Sequence, residues 1–265
     1  MMPDLARARD AIASRGCRLG APLTIEDETR STNDDAKEGA KGGAPHGATW
    51  LAEAQTAGRG RQGRVWVSPR GENLLFSVLL RLRCAPARVP QVSLACGLAV
   101  RDVVARLLPD AKVMVKWPND VVIERDGALR KIAGILVESA LAGGKVEHVV
   151  CGIGLNVHTR ALPEELASIA TSLAIEGAIA LDRAEILADV LAALDRDVEH
   201  VAHKGLGLLH ARLSAADALA GRSVETDGGE RGTACGVDPD GRLMIRGADG
   251  SVARVSSGEV RVRLA

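Results

Sequence analysis

Aromatic side chains are almost missing from this chain: they make up 2% of its 265 residues, with no tyrosine and a single phenylalanine. Its core must therefore be built from Leu, Val, Ile and Ala, and a hydrophobic fraction of 46% leaves ample material for one. Net charge is missing too. Lys plus Arg and Asp plus Glu number 34 each, so no bulk basic excess is at hand to neutralise nucleic-acid phosphates. Any anion site has to come from local clustering. Paired cysteines are also absent. The five, Cys17, Cys84, Cys96, Cys151 and Cys235, are odd in number and far apart, with no Cys-x-x-Cys. That argues against a disulfide framework or zinc site and fits free buried thiols in a reducing compartment. The N-terminus lacks the apolar run of a secretory signal. No stretch of about 18 apolar residues exists either, so nothing reads as a membrane span. A soluble, cytoplasmic protein is expected.

Against those absences stands a clear periodicity. Thr24–Ile25, Trp50–Gln55 and Leu74–Leu82 read as strands, the last as a continuous apolar run suited to burial. From Val89 to Leu108 apolar residues recur at helical spacing until Pro109 ends the pattern. Four β-rich runs come next, over Val113–Val115, Val121–Ile123, Ile132–Val137 and Val146–Asn156. Asp182-x-x-Glu185 resembles a capping box opening a helix to about Val201. Residues 1 to about 22 fit one helix, too little for a winged-helix DNA-binding domain, and Ser31 to Asp34 offer helix-starting side chains. From Gly221 onward, short Val/Leu/Ile runs alternate with Asp-Gly turns at spacings near ten residues, which predicts a small β-barrel. A boundary near Ala218–Gly221 divides the chain into residues 1–218 and 219–265.

The segment Gly58-Arg59-Gly60-Arg61-Gln62-Gly63-Arg64-Val65-Trp66 matches both the dinucleotide fingerprint and the kinase glycine loop. Context removes both. The stretch from Val65 to Pro69 is β-like and broken by proline rather than helical, and Arg81 and Arg83 occupy the region where a ribose-binding acid belongs. The His-Arg-Asp and Asp-Phe-Gly motifs of kinases are missing. Between Ala54 and Gly71 lie Arg59, Arg61, Arg64 and Arg70 and no acid. Unpaired positive charge on a glycine-rich backbone points to a loop that orders around an anionic ligand, and arginine suits phosphate or carboxylate. The loop is expected to be poorly ordered without that ligand.

Read as bare residues, several other positions have ordinary explanations. Ser31 to Asn33 would serve as a helix cap, Pro118-Asn119-Asp120 as a turn, Lys131 as a gatekeeper on an edge strand, and Asn156 as a turn asparagine. The six histidines form no metal motif; His200 and His203 share a helix face without a third ligand in view.

Taken in order, however, GRGRQGRVW, Lys116-Trp117-Pro118-Asn119-Asp120, Lys131-Ile132-Ala133-Gly134-Ile135-Leu136-Val137-Glu138 and Gly152-Ile153-Gly154-Leu155-Asn156-Val157 resemble the signature motifs of bacterial biotin protein ligases. Gly258-Glu259-Val260 resembles the close of that family's small barrel. The form resembled is the one without an N-terminal DNA-binding domain, so direct DNA binding is not expected. The resemblance implies an α+β fold: a mixed β-sheet with flanking helices, like class II aminoacyl-tRNA synthetases, plus a C-terminal SH3-like barrel.

It also implies ATP-dependent biotinylation of an acceptor lysine through biotinyl-5'-AMP, with ATP, Mg²⁺ and biotin as ligands. The implied protein partner is a biotin carboxyl carrier domain; a homodimer is one open option for the oligomeric state. By resemblance the catalytic residues are Lys116, Arg59 and Lys131. Biotin falls to Ser31, Thr32, Asn33, Gln55, Gly58, Arg59, Arg61, Lys131, Gly134 and Gly152. ATP falls to Arg61, Arg64, Trp66, Lys116, Asn119 and Asn156, and the metal to Asp120. Trp66 is expected to pack the folded loop rather than perform chemistry. A lipoate or octanoate transferase of the same superfamily is the alternative, with the glycine/arginine loop and Lys-Trp-Pro-Asn-Asp favouring the biotin branch.

Overall fold

The computed structural model describes residues 5–263, so the first four residues of the expected N-terminal helix lie outside it. The rest of that segment forms a 3₁₀ turn and helix α1 (Ala8–Arg15). Beyond it the chain builds a seven-stranded mixed sheet: β1 (Leu23–Glu26), β2 (Thr49–Ala52), β3 (Leu74–Leu80), β4 (Lys112–Lys116), β5 (Asp120–Arg125), β6 (Ala128–Ala142) and β7 (Lys145–Leu155). Its strand order is β1-β2-β3-β7-β6-β5-β4, with only β1 and β2 parallel. Helices α2 (Thr32–Lys41), α3 (Val89–Leu107), α4 (Glu164–Ala167), α5 (Arg183–Lys204) and α6 (His210–Ala215) complete this part.

The sheet divides its residues by the period of two that every strand imposes. On β7, Val149, Cys151, Ile153 and Leu155 point into the main core, where α1, α3 and α5 pack; on β6, Ala133, Ile135 and Val137 do the same. Val150 faces the other way, into a small cluster with Ala36 and Ala40 of α2. Alternation thus places Gly152, Gly154, Gly134 and Leu136 on the α2 side. The main core is aliphatic as the composition demands, with Phe76 and Trp117 its aromatic members.

α3 runs nearly as its periodicity predicts. α5 opens on Asp182, whose carboxylate accepts from Ala184 N and Glu185 N. Only half of the capping box forms, because Glu185 turns outward to Arg15, 2.7 Å away. The helix-starting role expected of Ser31 is also displaced: its side chain makes no capping bond, and Gln55 Oε1 accepts from Thr32 N at 2.8 Å instead.

The tail forms a separate antiparallel sheet of β8 (Ser223–Thr226), β9 (Arg231–Val237), β10 (Leu243–Arg246), β11 (Val252–Val255) and β12 (Val260–Val262), ordered β11-β10-β9-β8-β12. It shares the main core through Val224, Ala234 and Leu243, and Trp117 Nε1 donates to Gly241 O at 2.9 Å. All five cysteines are free, Cys96 and Cys151 buried and the others half-buried. No helix among the described residues is long and apolar enough to cross a membrane.

Candidate active site

Register builds the floor of a cleft before any side chain is considered. Ser77 pairs with Gly152, which pairs with Leu136; one row along, Leu75 pairs with Gly154, which pairs with Gly134, which pairs with Asp120. Three of the positions on the α2 face are therefore glycine, and a trough opens over the middle of the sheet. Glycine normally weakens a strand, and close approach by another group is what justifies it. That approach is visible. A Cβ on Gly152 would stand 2.8 Å from Asn33 Cγ, and one on Gly154 would stand 2.5 Å from the Trp66 indole.

One wall is the N-terminus of α2. Ser31, Thr32 and Asn33 are all buried. The Ser77 hydroxyl lies 2.7 Å from Thr32 Oγ1 and 2.6 Å from Asn33 Oδ1. Asn33 Nδ2 donates to Glu138 Oε2 at 2.7 Å, and Lys37 Nζ reaches Glu138 Oε1 at 2.9 Å. Burial works against ionisation of Glu138, but the bonds from Asn33 and Lys37 outweigh it and hold its carboxyl below the usual range. The Ser31 hydroxyl has no hydrogen-bond partner among the described residues and stays available to a ligand.

The roof is the glycine/arginine loop, folded as a narrow hairpin: Gly60 N donates to Arg64 O at 2.7 Å and Trp66 N to Gly58 O at 3.0 Å. At its tip Gln62 takes a left-handed conformation (φ 54°), uncommon for a residue with a Cβ. The loop's acid-free sequence implies uncompensated charge, and the structure corrects that. Arg59 forms a two-pronged bond to Asp34 at 2.6 and 2.7 Å. Arg64 pairs with Glu259 at 3.0 Å, and Arg70 pairs with Asp27. Each acid comes from a distant stretch of chain. The Arg59 guanidinium holds the Asp34 carboxyl far below the carboxylate range. The second sheet meets the loop too: Gln62 Nε2 donates to Asp227 Oδ2 at 2.9 Å and Arg61 Nη1 to Gly258 O at 3.3 Å.

The far wall is β5–β6. Lys131 Nζ lies 2.6 Å from Asp120 Oδ1 and 5.3 Å from the Trp66 ring centroid, a cation–π distance. Arg61 Nη1 donates to Asn119 Oδ1 at 3.3 Å. Trp66 Nε1 is buried without a hydrogen-bond partner among the described residues. The cavity between these walls has a volume of about 120 Å³.

Of the residues singled out from sequence, Ser31, Thr32, Asn33, Gln55, Arg59, Arg61, Arg64, Trp66, Asn119, Asp120, Lys131, Gly134 and Gly152 line this one cleft. Gly58 stands just behind it, where a Cβ would meet the Trp66 carbonyl at 2.7 Å. Lys116 sits half-buried at the end of β4, paired in register with Asp120, and its amine has no partner among the described residues. Asn156 does not reach the cleft: it is buried and its Nδ2 donates to Thr171 O at 2.9 Å, which fastens the chain after β7. Asp120 bonds Lys131, and no group of three or more potential metal ligands occurs among the described residues. The described residues thus offer no protein-only metal cage; an Mg²⁺ carried in on ATP needs only one or two carboxylates beside the phosphates, and Asp120 would supply one. Sequence reasoning missed Ser77, although a lone polar residue inside the apolar run Leu74–Leu80 was a usable signal. It also missed Asp34 and Glu138 as partners of the loop.

Comparison with known proteins gives the family. Residues 27–156 match the Biotin/lipoate A/B protein ligase family, and residues 223–263 match the Biotin protein ligase C terminal domain. A biotin--[acetyl-CoA-carboxylase] ligase of Mycobacterium tuberculosis is 37% identical over 274 residues, covering 98% of either chain. The bifunctional ligase/repressor BirA of Escherichia coli is 35% identical over 83% of this chain and 67% of its own length. Among solved structures, the biotin protein ligase from Aquifex aeolicus in complex with biotin and ATP superposes with a TM-score of 0.77 at 29% identity, covering 92% of this chain and 99% of that one. With relatives of this identity matched across nearly its whole length, the chain belongs to the biotin protein ligase family.

Proposed function

We propose that the cleft under the glycine/arginine loop joins biotin to ATP and then hands the biotinyl group to a lysine of a biotin carboxyl carrier domain. The observation that carries this reading is convergence. Arg61 and Lys131, cations from separate motifs, line the same cavity as the hydroxyls and amide of Ser31, Thr32 and Gln55. An acid that also carries a polar ring fits such a lining.

In the first half-reaction a biotin carboxylate oxygen bonds to the α-phosphorus while the bond to the β-phosphate bridging oxygen breaks, and pyrophosphate leaves. In the second, the acceptor amine attacks the acyl carbon, AMP departs and the amine loses its proton. No covalent bond to the protein is needed, so the residues act by placement and by charge. Lys131 and Arg61 hold the carboxylate and the α-phosphate side by side. Lys116, with its amine unengaged, meets the negative charge that develops on the phosphate. Asn119 orients Arg61, and Arg64 and Trp66 close over the nucleotide. Arg59, expected to touch the ligand, serves instead to latch the loop to α2 through Asp34. Asp120, expected to hold Mg²⁺, pairs with Lys131 and would meet the ion as it arrives on the ATP phosphates. Asn156, expected to bind ATP, ties the end of β7 to Thr171 through its Nδ2.

The same reading takes residues 1–218 as a catalytic unit of the class II aminoacyl-tRNA synthetase type and residues 219–265 as an SH3-like unit, working in the cytoplasm. The test is incubation with ATP, Mg²⁺ and an acceptor domain, supplying biotin or lipoate. Biotin attachment with pyrophosphate release is the expected result; attachment of lipoate alone would overturn the proposal.

A further inference from the structure

The largest fully buried side chain among the described residues is an arginine outside the cleft, Arg183, 1% exposed. It occupies the first turn of α5, where the helix dipole disfavours a cation. Its partner Glu53 is 2% exposed. Taking both charges out of water costs several kcal/mol per ion, and burying such a pair often adds nothing to stability over an apolar one. What the pair does provide is a fixed position. Arg183 Nη1 donates to Glu53 Oε2 at 2.8 Å and to Asn73 O at 3.2 Å. Residue 53 comes just after β2 and residue 73 just before β3, so one guanidinium ties together both ends of the segment that carries the glycine/arginine loop. Gly71 N donates to Glu53 O at 3.0 Å across the same gap. Asn73 extends the tie, donating to Ser68 Oγ at 2.9 Å and accepting from Val157 N at 2.8 Å.

We propose that Arg183 is a positioning residue of the ligase reaction, fixing the base of residues 53–73 and thereby the height of Arg61 and Trp66 above the cleft. The proposal rests on the ligase reading for its kinetic consequence and on the buried staple alone for its effect on the loop. A loop with a loosened base would close less often over the acyl-adenylate and let it escape before the acceptor arrives.

The experiment compares the intact chain with the double variant Arg183→Met/Glu53→Leu, which replaces the pair by apolar groups of similar size. Thermal midpoint, KM for ATP, kcat, and free biotinyl-adenylate per acceptor biotinylated are measured. Expected are a midpoint within a few degrees of the parent, KM for ATP raised several-fold, and adenylate escape raised about tenfold. A double variant with parental stability and parental escape would overturn the proposal. Should that variant not fold, Arg183→Lys decides instead, because the lysine side chain ends one bond short of Nη1, the nitrogen that reaches both Glu53 and Asn73 O: raised escape supports the staple, parental escape removes it. Amide hydrogen exchange at residues 58–66 keeps the two readings apart. Faster exchange in the folded variant supports the staple even if the parent proves not to biotinylate, and unchanged exchange defeats it there.

Discussion

Asn33 fills the space beside Gly152 that any side chain there would need: a Cβ would lie 2.8 Å from Asn33 Cγ and closer still to its Oδ1. Asn33 cannot retreat cheaply, because its amide is bonded to Glu138 and its carbonyl faces Ser77. Gly152→Ala should therefore push the α2 wall outward and weaken biotin binding by about 100-fold, the scale set by a 1 Å misplacement. Calorimetric titration with biotin measures it, and binding at parental strength would show that the wall is not part of the biotin pocket.

Lys116→Ala removes an amine that holds no structural partner, so the fold should survive. Biotin-dependent pyrophosphate exchange is expected to drop by at least about 10²-fold, in line with the loss of one group stabilising developing charge, while biotin binding persists. Exchange at the parental rate would take Lys116 out of the reaction.

Arg59 and Asp34 should behave as a latch. The pair is partly solvated, so breaking it by Asp34→Ala should cost at most ~1 kcal/mol of stability. Its effect should appear as faster escape of the adenylate. Exchanging the charges, Asp34→Arg with Arg59→Asp, should recover retention; if the exchanged pair leaks as much as the single variant, Arg59 contacts the ligand rather than α2. Because Asp34 titrates far below the carboxylate range, the latch's contribution to stability should be full above about pH 4, the unfolded value of an aspartate, and be lost as pH falls from there through the lowered folded value.

Asp217 carries the opposite sign. Burial pushes its carboxyl above the ordinary value, and Oδ2 has no partner among the described residues although Oδ1 accepts from Leu219 N at 2.8 Å. A group protonated more readily when folded contributes stability below its unfolded pKa and loses it as pH rises toward the folded one. Asp217→Asn should accordingly raise the thermal midpoint at pH 8 more than at pH 5. Equal gains at both would mean that Asp217 is not the titrating group.

How much of the fold and the cleft was legible in the sequence depends on the range of the interactions involved. α3 and β7 come out of local periodicity, since which side of each residue is buried repeats every 3.6 or two positions. The residues converging on the cleft were legible because their motifs are contiguous and chemically distinctive. The charge balance of the loop was not. Asp34, Asp27 and Glu259 that neutralise it lie in other elements, and nothing within Gly58 to Trp66 encodes their arrival. Gln55 capping α2 in place of Ser31 is a similar case, set by the register of β1 against β2. Asn156 and Asp120 carry the side chains of ligands, and nothing in their local sequence shows that the Thr171 carbonyl and the Lys131 ammonium also engage them.

The scarcity of aromatic residues has a practical consequence for Trp66. Without tyrosine, ultraviolet emission from this protein comes from three indoles, Trp50, Trp66 and Trp117. Trp117 is 2% exposed with its N–H bonded to Gly241 O, and Trp50 packs under Gly39, away from the cleft. Trp66 alone rides on the loop, beside an ammonium and with a free indole N–H. Any ligand that lifts or tightens the roof must alter its surroundings, so the chain carries its own fluorescent gauge of closure and needs no label to report each step of the reaction.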